Sequence, residues 1–142
     1  MRSTRNEQWS EYWTAQQPTE PDAASDTAND FGAFINRVPK YVVSNTLRDA
    51  TWNNTTIVSG DVAGQLRDIK DRTAGDITMS GSATLVRYLL TNGLLDEMHV
   101  LVHPIVVGHG QRLFENPDAS PLRLVEHEVF DTGVLNLSYA PA

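Results

Sequence analysis

The sequence contains no cysteine, which excludes a disulfide framework, a thiolate nucleophile and any cysteine-based metal site, and permits a reducing compartment. No apolar run approaches the roughly 20 residues that a membrane-spanning helix needs. Met1-Arg2-Ser3-Thr4-Arg5 leads into polar sequence rather than into the apolar core of a targeting segment, so a soluble, cytoplasmic protein is expected. Positive charge is scarce: 11 Lys and Arg stand against 18 Asp and Glu, for a formal net charge of −7. That balance argues against nucleic acid as a partner. It leaves room for a small anionic ligand, because a few helix-terminal amides and a local cation hold one phosphate. With 142 residues, 40% of them hydrophobic, the chain suits one domain spanning 1–142 with a real core.

Trp9, Tyr12 and Trp13 recur at helical spacing and form an aromatic face that reads as core packing. From Thr14 to Asp30 the composition turns to Pro, Thr, Ala, Gln and acid without Lys or Arg, and a flexible loop over 14–30 is expected. Phe31, Phe34 and Ile35 give a short amphipathic helix closed by Val38-Pro39. Lys40–Ser44 and Thr55–Ser59 read as strands rich in β-branched residues, separated by a polar loop carrying Trp52. Asp61 stands at an N-cap position before a helix patterned by Val62, Leu66 and Ile69, which stops at Thr73-Ala74-Gly75.

The most informative stretch runs from Asp76 to Leu85. Asp76–Ser80 alternates like a strand and meets the small-residue turn Gly81-Ser82-Ala83, after which Leu85, Val86, Leu89 and Leu90 mark a helix ending at Asn92-Gly93. A helix that starts where a strand ends aims its free N–H groups and positive dipole end at the space above the sheet, where a phosphate is stabilised. Small side chains allow the close approach. Taken alone, a Gly-Ser turn between strand and helix also serves simply to turn the chain. A strand over Glu97–His103, a glycine loop Gly108-His109-Gly110, and a hairpin of Leu122–Phe130 with Val134–Tyr139 complete the order. The expected fold class is α/β, a mixed and mainly parallel sheet flanked by helices with a C-terminal antiparallel hairpin.

In this order the chain resembles the dihydrofolate reductase superfamily, and within it the branch of the reductase domain of the bacterial bifunctional riboflavin-biosynthesis deaminase-reductase. The residues carrying the likeness are Pro39–Leu47, Gly60-Asp61, Gly81–Leu85, Gly93–Glu97, and Pro104–Gly110 with Leu113-Phe114, spread over about residues 31–140. The resemblance implies an NADPH-dependent reductase of a small heterocyclic substrate, by either the 5-amino-6-(5-phosphoribosylamino)uracil reductase or the dihydrofolate reductase reaction. It also implies that Ser44, Asn45, Thr46 and Leu47 contact the adenosine side of the cofactor, while Gly81, Ser82, Ala83, Thr84, Leu85 and Val86 hold the pyrophosphate. The family's double glycine is Gly81-Ser82 here, and serine is small and brings a hydroxyl.

Two departures accompany the likeness. The family's Gly-Arg-x-Thr-Tyr-Glu helix start corresponds to Arg2–Glu7 with Ser3 at the Arg position, or, shifted by one residue, with Arg2 at the Arg position and Thr4 at the Thr position. Arg48 is a candidate substitute cation for the cofactor 2′-phosphate, the alternative being a solvated surface arginine. Family members also begin with a strand and loop ahead of that helix, so an N-terminally incomplete domain is expected. A non-catalytic nucleotide-binding or dimerisation module is therefore the alternative, and a homodimer is expected to cover the sheet surface left open.

No catalytic residue is assigned. Asp61 reads as a cap, and Asp96 and Glu97 as polar residues at a helix-to-strand turn. His99 and His103, four apart on a strand, lie roughly 13 Å from one another, too far to share an ion, and no metal site is expected. His109 reads as a turn residue and Trp52 as an anchor pinning its loop.

Overall fold

Val42, Val43, Thr55, Thr56, Ile57 and Val58 supply the β-branched side chains that suit a pleated ladder, and they pair in parallel. Strand β1 (Lys40–Val43) runs beside β2 (Thr55–Val58), with Lys40 opposite Thr55 and Val43 opposite Val58. Helix α1 (Asp26–Arg37) precedes β1, and Val38, before Pro39, is where the helical pattern ends. The computed structural model describes residues 26–114 and 120–142. One compact unit ends at Val62, and a second runs from Ala63 to Ala142.

In the first unit, Val58 is the most deeply buried side chain, at 1% exposure. Lys40 sits at the other end of the ladder and closes helix α1. Its ammonium donates to the carbonyl oxygens of Ile35 (2.8 Å) and Val38 (2.9 Å) and reaches that of Asn36 at 3.5 Å. It also lies 4.9 Å from the centre of the Trp52 ring, a cation–π distance. The Trp52 indole N–H donates to Asn36 Oδ1 at 2.7 Å, and the Asn54 amide donates to the carbonyls of Asn36 and Arg37. Trp52 thus anchors its loop to the end of α1, as expected. Burial pushes the Lys40 pKa below the ordinary lysine value, while carbonyl dipoles at a helix C-terminus favour the charged form. Lys40→Met leaves those carbonyls and the indole face without their cation. Its expected cost is about 2 kcal/mol, read as a lowered midpoint of urea unfolding at unchanged slope.

In the second unit, α2 (Val62–Arg72, whose first residue belongs to the first unit) and α3 (Ala83–Thr91) precede a three-stranded antiparallel sheet. Its strands are β3 (Met98–Val102), β4 (Leu122–Val129) and β5 (Leu135–Pro141), in the order β3-β5-β4. The β4–β5 hairpin turns at Asp131-Thr132-Gly133, where the Gly133 N–H donates to the Phe130 carbonyl at 2.8 Å and Gly133 takes φ +79°. A register shift between Leu124 and Glu126 bulges β4. Ile69, Leu94 and Met98 form the buried core of this unit. Lys70 on α2 ties down the segment that follows α3, donating to the Leu94 carbonyl at 3.0 Å and pairing with Asp96.

The elements match the sequence reading at most positions, with two differences. Asp76–Ser80, expected as a strand, pairs with no strand among the described residues, and Ile77 and Met79 stand 47% and 38% exposed. Alternation makes a segment suitable for a ladder, but a strand exists only through its partner's hydrogen bonds. Parallel pairing in the described residues is accordingly confined to β1 and β2. The second difference is α1, which begins at Asp26 inside the segment 14–30 expected as a loop. Its first turn is polar, so hydrophobic periodicity begins only at Phe31. Residues 14–25, the Trp9, Tyr12 and Trp13 face, and the Arg2–Glu7 motif lie outside the described residues.

Candidate functional site

Ser44 is the first residue beyond β1, and its N–H extends the ladder by donating to the Val58 carbonyl at 3.1 Å. Its hydroxyl oxygen then accepts from the N–H groups of Thr46 (3.3 Å) and Leu47 (3.0 Å) and lies 3.5 Å from the Thr46 hydroxyl. This side-chain-to-backbone turn bends the chain sharply at the carboxyl end of the strand. Asn45 Oδ1 accepts from the Gly60 N–H at 3.4 Å, which links the turns leaving β1 and β2. Gly60 takes φ +73°, a conformation that favours glycine. Asn45 and Thr46 are exposed, as is Arg48 beyond them. The carboxyl ends of parallel strands are where open α/β sheets place their ligands. Here that edge offers an amide, two hydroxyls and a guanidinium.

The second group surrounds the start of α3. Gly81 takes φ +80°, and no atom of its surroundings lies within 4 Å of where a Cβ would stand. Ser82 is also left-handed, with φ 50°, and caps the helix by accepting from the Leu85 N–H at 3.3 Å. The Val86 N–H donates to the Ser82 carbonyl at 3.1 Å. Of the helix-terminal donors, those of Leu85 and Val86 are therefore engaged, whereas the N–H groups of Ala83 and Thr84 have no partner among the described residues. The Ser82 hydroxyl accepts from Leu85 and keeps its own proton to donate. Two free amides, one hydroxyl and the positive end of a nine-residue helix form an arrangement that suits an anionic oxygen.

The sequence-predicted site residues thus form two contiguous groups. Ser44, Asn45, Thr46 and Leu47 belong to the first unit, and Gly81, Ser82, Ala83, Thr84, Leu85 and Val86 to the second. A family model described as the RibD C-terminal domain matches residues 2–136. The chain belongs to the RibD C-terminal domain family. Among its relatives is the uncharacterized protein YyaP of Bacillus subtilis (strain 168), 27% identical over 115 residues, or 80% of this chain and 61% of the relative. The chain therefore spans about three fifths of that relative's length. Among solved structures, a Shewanella sp. PV-4 protein, provisionally named for riboflavin biosynthesis, superposes with a TM-score of 0.65 at 18% identity, covering 92% of this chain and 87% of that one. At that identity the likeness is one of fold, and the RibD C-terminal domain reads as the dihydrofolate-reductase-like mixed α/β architecture expected from the sequence.

Asp96, Glu97 and His99, also considered for chemistry in this RibD-type domain, are held by their neighbours. Asp96 pairs with Lys70. Glu97 Oε1 lies 3.1 Å from His99 Nε2, and His99 Nδ1 lies 2.8 Å from the Ser138 hydroxyl. Both ring nitrogens of His99 are thus engaged, and Ser138 is 4% exposed, so this Glu–His–Ser contact joins β3 to β5 and leaves no accessible nucleophile. Sequence reading missed it because His99 and Ser138 meet only through the strand register. It also missed the hydrogen bonds by which the Ser44 hydroxyl shapes its turn, whose signal is the hydroxyl residue at a strand end followed by another two positions on.

Proposed function

We propose that this chain is an NADPH-dependent reductase domain acting on a small heterocycle, with the 5-amino-6-(5-phosphoribosylamino)uracil reductase reaction of riboflavin biosynthesis preferred over dihydrofolate reduction. The observation that carries the proposal is the left-handed Gly81-Ser82 turn into α3, which leaves the Ala83 and Thr84 N–H groups without a partner among the described residues, in a chain of the RibD C-terminal domain family. NADPH supplies the hydride when bound, so the task of the protein is to bind it, orient it and exclude water. In this reading Gly81 and the start of α3 hold the pyrophosphate, and the family resemblance alone assigns the adenosine to the Ser44–Leu47 turn. Arg48 meets the 2′-phosphate. A homodimer belongs to the same proposal, since Ile105, Val106 and Val107 are 71%, 96% and 59% exposed and association covers such surface.

Ser44→Ala removes the acceptor for the Thr46 and Leu47 N–H groups. It is expected to weaken NADPH binding roughly tenfold, about 1.4 kcal/mol. Isothermal titration with the two proteins side by side measures this.

A second reading, a nucleotide-binding module without chemistry, is favoured by the segment Asp76–Ser80, which pairs with no strand among the described residues and leaves Ile77 and Met79 exposed. The loss of NADPH absorbance on mixing with the aminouracil substrate decides between the two. Substrate-dependent oxidation is the outcome of a reductase. Saturable NADPH binding without turnover on either substrate is the outcome of the module.

A further inference from the structure

One Asn-Gly pair occurs in the sequence, Asn92-Gly93, and it forms the C-cap of α3. Asparagine before glycine is the peptide pair most prone to spontaneous deamidation, because glycine has no Cβ to shield its nitrogen from the neighbouring side chain. In that reaction the Gly93 nitrogen attacks Asn92 Cγ. The new C–N bond closes a succinimide, the Cγ–Nδ2 bond breaks, and ammonia leaves with the proton from the Gly93 amide. Water then opens the ring to aspartate or isoaspartate. No oxidant or reductant takes part.

Every group involved is restrained in the folded chain. The Gly93 N–H donates to the Leu90 carbonyl at 3.2 Å, and Asn92 Nδ2, the leaving nitrogen, donates to the Tyr88 carbonyl at 2.8 Å. Asn92 has ψ 6°, and ring closure needs a large rotation about that bond to bring Gly93 N onto Cγ. The carbonyl between the two residues, Asn92 O, accepts from Arg67 at 3.4 Å, and the Leu94 carbonyl accepts from Lys70 at 3.0 Å. Both cations come from α2, so the peptide that must rotate is pinned from outside its own helix by Arg67, and the chain two peptides further on is held by Lys70.

We propose that Asn92 is a deamidation site whose rate is set by opening of the α3 C-cap, and that Arg67 and Lys70 hold that cap shut. The product carries a consequence for the fold. A carboxylate at position 92 cannot donate to the Tyr88 carbonyl and places negative charge at the negative end of the helix dipole, so the modified helix frays from its C-terminus. This inference does not rest on the cofactor reading, since the modification is observed without any ligand.

The test follows the mass of the tryptic peptide 88–112 during incubation at mildly alkaline pH, for the wild-type chain folded, the wild-type chain in guanidinium, and Arg67→Ala folded. Circular dichroism checks that the variant is folded. The unfolded chain is expected to deamidate more than about tenfold faster than the folded one, and Arg67→Ala roughly threefold faster, because local opening sets the rate. Equal rates for folded and unfolded wild type overturn the proposal, as does a folded Arg67→Ala no faster than wild type. Should Arg67→Ala fail to fold, Lys70→Gln takes its place with the same expectation.

Discussion

Gly81→Val is expected to abolish measurable NADPH binding while leaving a folded protein. The wild-type residue combines φ +80° with empty space on its Cβ side, so the substitution has two separable effects. A β-branched residue in left-handed backbone costs roughly 1–2 kcal/mol, which lowers the unfolding temperature by about 3–8 °C for a chain of this size. On the proposed reading the isopropyl group also competes with the pyrophosphate for the turn that opens α3, and its displacement is expected to raise Kd at least 100-fold, about 2.8 kcal/mol. Gly81→Ala separates the two effects, since it carries most of the backbone strain with only one methyl in the site, and its expected Kd lies between the others. A folded Gly81→Val protein with unchanged NADPH affinity places the pyrophosphate elsewhere.

Arg48→Gln is expected to turn a preference for NADPH into indifference between NADPH and NADH. The described cations of the first unit are Arg37, Lys40 and Arg48. Lys40 is committed to the end of α1, and Arg37 precedes β1, at the opposite end of the strand from the Ser44 turn. Arg48 alone follows that turn at the carboxyl edge. A charge-assisted contact to a phosphate contributes roughly 1.5–3 kcal/mol, so the NADPH Kd is expected to rise about 10- to 100-fold with little change for NADH. On this reading any preference for NADPH is also expected to shrink as salt is raised, because Arg48 is solvent-exposed. Equal losses for both nucleotides assign Arg48 to the shared part of the cofactor or to the fold.

What the sequence made legible was local chemistry. Val42-Val43 and Thr55–Val58 favour strands through their β-branching, Asn92-Gly93 stops a helix, and Asp131-Thr132-Gly133 turns a hairpin. Each of these signals lies within a few residues of the structure it produces, and each was found in place. Asp76–Ser80 shows the limit, since alternation records suitability for a ladder and says nothing of whether a partner strand arrives. Helix α1 shows another, its polar first turn hiding the true start five residues before Phe31.

At the candidate site the residue types were legible and their hydrogen bonds were not. Gly81 and Ser82 read as a phosphate-accommodating turn, but only the geometry gives Ser82 the Leu85 amide and leaves the Ala83 and Thr84 amides without a partner among the described residues. Ser44 read as a contact residue, and its hydroxyl proves to be committed to shaping the turn. Contacts that depend on register or on distant loops, such as His99 with Ser138 and Lys40 with Trp52, have no local signature at all.

The most direct measurement is a titration of NADPH into the 142-residue chain, following quenching of its three tryptophans, with NADH titrated in parallel. The expected result is saturable quenching with a lower Kd for NADPH than for NADH. A folded protein whose tryptophan emission does not respond to NADPH, and which releases no binding heat, contradicts the cofactor assignment at Gly81 and at the Ser44 turn.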